Sequence, residues 1–434
     1  MKNRIITGVL MTSLLLAAGL AKADPGIFGQ PVLLDGSMQM RQSTTEQFDP
    51  VRGQSVADRP RPDFDATPIS VSSFEFFPAL NISPYYDSNI FAQASGETSD
   101  YVWKVNPAFT LLSNWGRNAV ALTGFGDFDY YSVHSAQDYN SGAIQAEGRW
   151  DIAHQTWLAG ALDYQRVIEL RGLPTAPGNA EGPSEYNLYS GNAELYRGLG
   201  LLKAKADFGT AYYDYSPLDL IGGGVASQNA RDRIQNKASS EVSYDITENF
   251  QPFVRGGYNW RTYTATSARS SNGYNVDVGS KMDFGGIITA EAYAGYLRQN
   301  YFNFGNAVDA FDFGGNVLWN VTGLTSIEFK VARSIEETDV SPAAVAYVAS
   351  GGSVTVTHEL RRNILLDAHF NITGLDYEGI ARHDDYYDAG VGGRYFISRN
   401  LYTDVTYDFQ RRGTDASGEN YNRHILLTRV GVQY

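Results

Sequence analysis

The last residues of the chain, His424-Ile425-Leu426-Leu427-Thr428-Arg429-Val430-Gly431-Val432-Gln433-Tyr434, alternate with a period of two. Leu426, Thr428, Val430, Val432 and Tyr434 share one face; Leu427, Arg429, Gly431 and Gln433 share the other. Period two is the geometry of a β-strand, and a mostly apolar face opposite a mixed one marks a strand with one side against oil. A strand at the end of a chain can close a sheet onto its first strand. Closure is also the one way a sheet crosses a bilayer without leaving backbone groups unpaired.

The start of the chain fits such a fate. Lys2 and Arg4, an apolar run over residues 5–20 and Ala21-Lys22-Ala23 before Asp24 read as a signal peptide over residues 1–23. That run is shorter than the roughly 20 residues a spanning helix needs, and no later segment is longer. A membrane protein without a spanning helix has to be a barrel. The mean hydropathy of -0.30 agrees, because a barrel hides its apolar half by alternation. With no cysteine, an exported chain has no disulfide framework and rests on its hydrogen-bond ladder. The net charge of -14 becomes -17 once Lys2, Arg4 and Lys22 leave with the signal (-14 - 3 = -17). So acidic a chain is a poor partner for nucleic acid.

Residues 24–70 hold Pro25, Pro31, Pro50, Pro60, Pro62 and Pro68 and little periodicity. They read as a disordered periplasmic arm, or as a small plug docking through Ile27-Phe28 and Val32-Leu33-Leu34. From residue 71 to Tyr434, alternating segments of roughly 10–16 residues recur, as barrel strands do. Short connections such as 114–118, 151–155, 197–200 and 398–400 take turns with longer polar ones such as 172–185 and 217–229. Short turns belong at the periplasm and long loops outside. Eight short turns separate nine hairpins, which predicts an all-β, antiparallel, up-and-down barrel of about 18 strands, with 16 possible.

Alternation also assigns faces. Over residues 401–410, Leu401, Thr403, Val405, Tyr407 and Phe409 are expected to face lipid, and Tyr402, Asp404, Thr406, Asp408 and Gln410 the lumen. On that reading Val405→Lys is costly and Asp404→Lys, in water, is tolerated. Over residues 325–335, Ile327, Phe329, Val331 and Ile335 point out; Glu328, Lys330 and Ser334 point in, and Arg333 breaks the outward run near a strand end. The expected pore lining further includes Lys104, Asn106, Lys203, Lys205, Asp207, Glu291, Asp367 and His369. Trp103, Trp115, Trp157, Trp260 and Trp319 fall near strand ends, where an aromatic girdle belongs.

A family resemblance enters at the first strand. Phe76-Phe77-Pro78-Ala79-Leu80 leads into Tyr86-Asp87-Ser88-Asn89-Ile90-Phe91, followed by Ser99-Asp100-Tyr101, Asn106-Pro107-Ala108-Phe109, Ser113-Asn114-Trp115-Gly116-Arg117-Asn118 and Gly148-Arg149-Trp150-Asp151-Ile152. This resembles the outer-membrane barrels called beta-barrel porin 2, with Ser88 where that family often has a second Asp. The aromatic ending resembles the assembly signal of such barrels, here Tyr434, Val432 and Val430. The resemblance implies an outer-membrane pore for exopolysaccharide export, working with a periplasmic polysaccharide export protein. The partners it implies are outer-membrane lipid, the barrel assembly machinery and the polysaccharide itself. A general diffusion or sugar-uptake porin is the alternative. The matched motif residues Asp87 and Asn89 point into the lumen near the outer rim, either touching the solute or capping the first outer loop.

No catalytic constellation stands out, and no cofactor or metal is implied. The six histidines are scattered, and neither HExxH nor GxSxG occurs. Arg382-His383-Asp384-Asp385-Tyr386-Tyr387-Asp388 is a candidate cation loop but reads better as a solvated outer loop. Asp367 and His369 share a face without a recognisable nucleophile.

Overall fold

In a computed structural model, residues 53–434 are described, apart from 174, 266, 303–306, 339, 342 and 345. The signal peptide and residues 24–52 of the arm therefore lie outside the described residues. The body is one sheet of nineteen strands, eighteen of which form the wall; the other, Ile69–Val71, is a short hairpin arm on the base of the first. In chain order the wall strands begin with β1 (Phe74–Asp87), β2 (Asp100–Ser113), β3 (Ala119–Tyr131), β4 (Tyr139–Ala153), β5 (Thr156–Glu169) and β6 (Ser184–Leu199). Next come β7 (Leu202–Tyr215), β8 (Arg233–Tyr244), β9 (Phe250–Tyr263), β10 (Ser271–Phe284), β11 (Ile288–Tyr301) and β12 (Ala307–Thr322). The last are β13 (Thr325–Glu337), β14 (Ala346–Arg361), β15 (Ile364–Glu378), β16 (His383–Phe396), β17 (Leu401–Thr414) and β18 (Tyr421–Gln433). Each pairs antiparallel with the next, and β18 returns to β1 through Leu80↔Val432, Ile82↔Val430 and Tyr86↔Leu426. The expected closure holds. The β1–β18 ladder skips Ser83 and Pro84, consistent with a proline that has no N–H to give, and resumes at Tyr85.

Cross-strand register keeps each face consistent. On β17 and β18 the pairs Val405↔Thr428 and Tyr407↔Leu426 share the outer face, and Asp404↔Arg429 shares the inner one. Leu80, Ile82, Val405, Leu426, Val430 and Val432 are exposed, as a lipid-facing row should be. Trp103, Trp115, Trp150 and Trp319 are exposed as well. Trp157 corrects the girdle expectation: it points inward, is buried, and stacks on Tyr196 with centroids 5.0 Å apart. Proximity to a strand end does not give the face; parity does. On β18 the inner row has its own packing rule. The Tyr402 ring lies across Gly431, where a Cβ would sit 2.2 Å from it, and its hydroxyl donates to Asn81 Oδ1 at 2.6 Å.

The wall has one discontinuity. The β12–β13 ladder runs only up to Gly314↔Ala332, so residues 307–313 pair with β11 alone and 333–337 with β14 alone. Above that point the β13–β14 hairpin bends into the barrel. Ile335, Ala346 and Val348 are buried against Tyr301 and Val308, on the inner side of β11 and β12. Tyr347 and Ala349, on the other face, pack on Leu375 and Tyr377 of β15. The expectation that Ile335 faces lipid is thus corrected. It is an apolar position that meets an inner protein layer, which alternation alone does not distinguish from lipid.

Candidate functional site: the lumen

The short-turn mouth is crossed by residues 53–68. Val56 is buried on Leu365, Phe396 and Tyr402, and its amide donates to Ser326 Oγ at 2.9 Å. Further along, Ala66 packs on Phe77, Leu112 and Ala121. Arg61 organises the segment: its guanidinium donates to the carbonyls of Val56, Ala57 and Arg59 and pairs with Glu359 at 3.2 Å. Burial pulls the Arg61 guanidinium below its ordinary value, and Glu359 opposes that pull. Burying a cation is costly unless it is paired and hydrogen-bonded, and Arg61 is both.

Beside this crossing, on the arc of β4 to β13, the lumen opens as a vestibule of about 1170 Å³. Its lining includes Arg149, Lys205, Arg255, Lys281, Glu291 and Lys330. These side chains are wired in pairs. Glu241 accepts from Arg255 Nη2 at 2.7 Å and from Lys281 Nζ at 2.6 Å, and Arg255 also reaches Glu291 at 2.7 Å. Lys205 stands 3.4 Å from Glu194. Arg149 lies over the Trp157 ring, 4.9 Å from its centroid, and bonds Asp151 at 3.0 Å. Seven Lys and Arg face four Asp and Glu in this lining, so the surface is polar, solvated and cationic on balance.

The expected lining residues divide into three groups. Lys203, Lys205, Glu291 and Lys330 line the vestibule. Asp207 accepts from Ser239 Oγ at 3.3 Å, and Glu328 pairs with Lys330 at 3.2 Å; both keep partial exposure. Asn106, Asp367 and His369 point inward and are partly covered. Asn106 donates to Gly126 O and Asp127 Oδ1, and β2 and β3 register no pair at Asn106 and Pro107. His369 lies 2.9 Å from Asp388 and 3.3 Å from Asp408.

The remaining five point inward but are buried, so none of them meets lumen water. Lys104 pairs with Asp127 at 3.3 Å. Asp408 is held by His369. Asp404 receives Arg394 Nε and Nη2, both at 2.7 Å. Asp87 takes Arg423 Nε at 3.0 Å and the Asn89 amide at 2.9 Å. Asn89 bonds Gln93 and the Asn422 carbonyl, so Asp87 and Asn89 cap the first outer loop. The stretch expected to be a solvated outer loop instead opens β16, with Asp384 buried, and its carboxylate is occupied by cations of this chain: Asp384 pairs with Arg382 at 3.0 Å and Arg412 at 2.9 Å. Among the described residues no three or more His, Asp or Glu side chains gather as a metal site. Sequence reasoning missed Arg149, Glu194, Glu241, Arg255 and Lys281. Their inward parity was readable; their mutual pairing needs the register of several strands.

Closed wall, polar lumen, short turns and long loops together define a porin-like barrel of the outer membrane. The chain belongs to the family described as "Putative beta-barrel porin 2", whose model matches residues 61–434. Solved barrels of similar architecture include OpdK of Pseudomonas aeruginosa, crystallised with vanillate, at 12% identity over 83% of this chain and 99% of that one, TM-score 0.43. OpdO of the same organism gives 10%, 84%, 98% and 0.44. OccAB3 of Acinetobacter baumannii gives 9%, 84%, 100% and 0.44. A comparison with curated proteins gives no match.

The expected export of an exopolysaccharide is corrected by these findings. The matched family, over residues 61–434, is described as one of porins. The lumen agrees: a hydrated polymer needs an uninterrupted bore, whereas residues 53–68 cross one mouth and the β13–β14 hairpin turns into the other half.

Proposed function

We propose that this barrel is a diffusion channel for small hydrophilic solutes in the outer membrane. The observation that carries the reading is the paired-charge vestibule of about 1170 Å³ inside a closed eighteen-strand wall. A surface of interspersed ammonium, guanidinium and carboxylate groups offers hydrogen bonds to neutral polar solutes. Its excess of Lys and Arg over Asp and Glu adds a mild preference for anionic solutes. Reconstituted into liposomes, the protein is expected to admit small sugars and amino acids at a rate that falls steeply with solute size. Swelling no faster than in protein-free liposomes overturns the proposal.

The route to the membrane is part of the same reading. Residues 1–23 direct export, and Tyr434, Val432 and Val430 are read by the barrel assembly machinery. Tyr434 is 54% exposed and lies outside the ladder, touching it through its amide on the Pro78 carbonyl at 3.2 Å. Deleting Tyr434 is therefore expected to lower the amount in the outer membrane while leaving the refolded barrel's unfolding free energy, from urea titration, within about 0.5 kcal/mol of wild type. Normal outer-membrane levels of the truncated chain, measured by membrane fractionation, refute the signal.

A further inference from the structure

The β13–β14 hairpin has two places to sit in this barrel, and only one of them is filled. We propose that residues 333–337 and 346–350 form a gate that swings between the lumen and the wall, latched in the lumen by Arg261. The proposal rests on the diffusion-channel reading and adds to it a moving part.

Four observations meet here. First, among the described residues the β12 edge from 307 to 313 has no β13 partner, and its Phe311 carbonyl accepts from Arg333 Nη1 at 3.4 Å. Continuing the register beyond Gly314↔Ala332 would bring Phe313 opposite Arg333, Phe311 opposite Ile335 and Asp309 opposite Glu337. Second, the alternation suits both positions. Ile335, Ala346 and Val348 now cover Tyr301 and Val308; moved into the wall, the same three would join the exposed Phe311 in facing outward, flanked on that face by Arg333 below and Glu337 at the rim. Third, the departure point is flexible: Gly351 and Gly352 lie opposite Ala332 and Val331, and glycine lets a strand bend sharply. Fourth, the tip is held by a compact latch. Arg261, inward on β9, ion-pairs with Glu337 and donates to the Ile335 carbonyl at 3.0 Å, while Ser271 Oγ bonds Glu337 at 3.3 Å.

Position gives the hairpin its role. Gly315, Asn316, Lys330 and Val331 line the vestibule, one step below the row where the hairpin leaves the wall. The hairpin thus stands directly over the vestibule on the way to the loop rim. In the wall it would complete the β12–β13 ladder and clear that path. The lumen position is favoured because Arg261 gives Glu337 its own counter-charge, whereas the wall register sets Glu337 against Asp309, whose cation Arg298 is already engaged.

Planar-bilayer recordings of the whole protein test this. Breaking a buried pair costs several kcal/mol, so Arg261→Gln and Glu337→Gln should each raise the open fraction about tenfold or more. The swap Arg261→Glu with Glu337→Arg should return it toward wild type. The chain has no cysteine, so Phe311→Cys with Ile335→Cys is a clean second probe. In the wall register these two are about 5 Å apart, within disulfide reach. Oxidation should fix a high-conductance state, and reduction should restore closing. Unchanged conductance in the single variants and in the oxidised pair overturns the gate while leaving the channel standing. Should Arg261→Gln fail to assemble, the swap and the cysteine pair decide alone. If wild type, latch variants and cysteine pair all fail to conduct, the channel reading itself falls.

Discussion

Asp404→Lys is expected to damage the barrel more than Val405→Lys, although the first replaces an inward residue and the second a lipid-facing one. Asp404 is 5% exposed and holds Arg394 through two bonds of 2.7 Å, with Arg429 at 3.6 Å. A lysine there removes the carboxylate that holds Arg394 and adds a cation beside Arg394 and Arg429. Losing one partner of a buried pair costs about 3–5 kcal/mol, and the like charge adds to that. The expected readout is loss of the heat-modifiable folded species, with Asp404→Asn falling between it and wild type. Wild-type folding of Asp404→Lys would return Asp404 to open water and undo the pairing described here.

Val405→Lys is expected to cost about 2–4 kcal/mol if it lies near the bilayer midplane and less toward an interface. Val405 is 51% exposed, sits opposite Thr428 and Gly393, and belongs to the outer row of β17. Its lysine is flexible enough to bend toward an interface, an escape closed to a cation in the packed interior. Urea titration of refolding into liposomes measures the cost. A variant as stable as wild type would mean that the strand register is off by one, since a single-residue slip exchanges the faces of the entire strand.

The wall was readable from sequence because two solvents write a period of two into every strand. Turn lengths then gave the strand count, and the terminal alternation gave the closure. What lay inside was not readable in the same way. Parity says that Asp404 points inward, but only the register Asp404↔Arg394 and Asp404↔Arg429 says that it meets two arginines instead of water. Ile335 failed for a related reason: an apolar residue written for an apolar neighbour does not say whether that neighbour is lipid or Tyr301. Trp157 shows the same limit from the inside, an aromatic at a strand start that stacks on Tyr196 rather than joining the girdle.

The crossing segment at the short-turn mouth has a mechanical consequence for the split wall. Arg59 bonds the Gly323 carbonyl in the β12–β13 turn and Asn320 near the end of β12, the latter at 3.1 Å, and Val56 holds Ser326 on β13. At its other end, Arg399 donates to Pro62 O at 2.7 Å and Gln433 to Phe64 O at 3.2 Å. The two strands that part company above Gly314 are thus stapled together at their base, like a zipper with its bottom stop in place. The separation is confined to the upper half of the seam, above Gly314↔Ala332. Cutting the staple, for example with Arg59→Ala, lets the separation run downward, and hydrogen exchange at the amides of 316–319 and 327–330 should accelerate first.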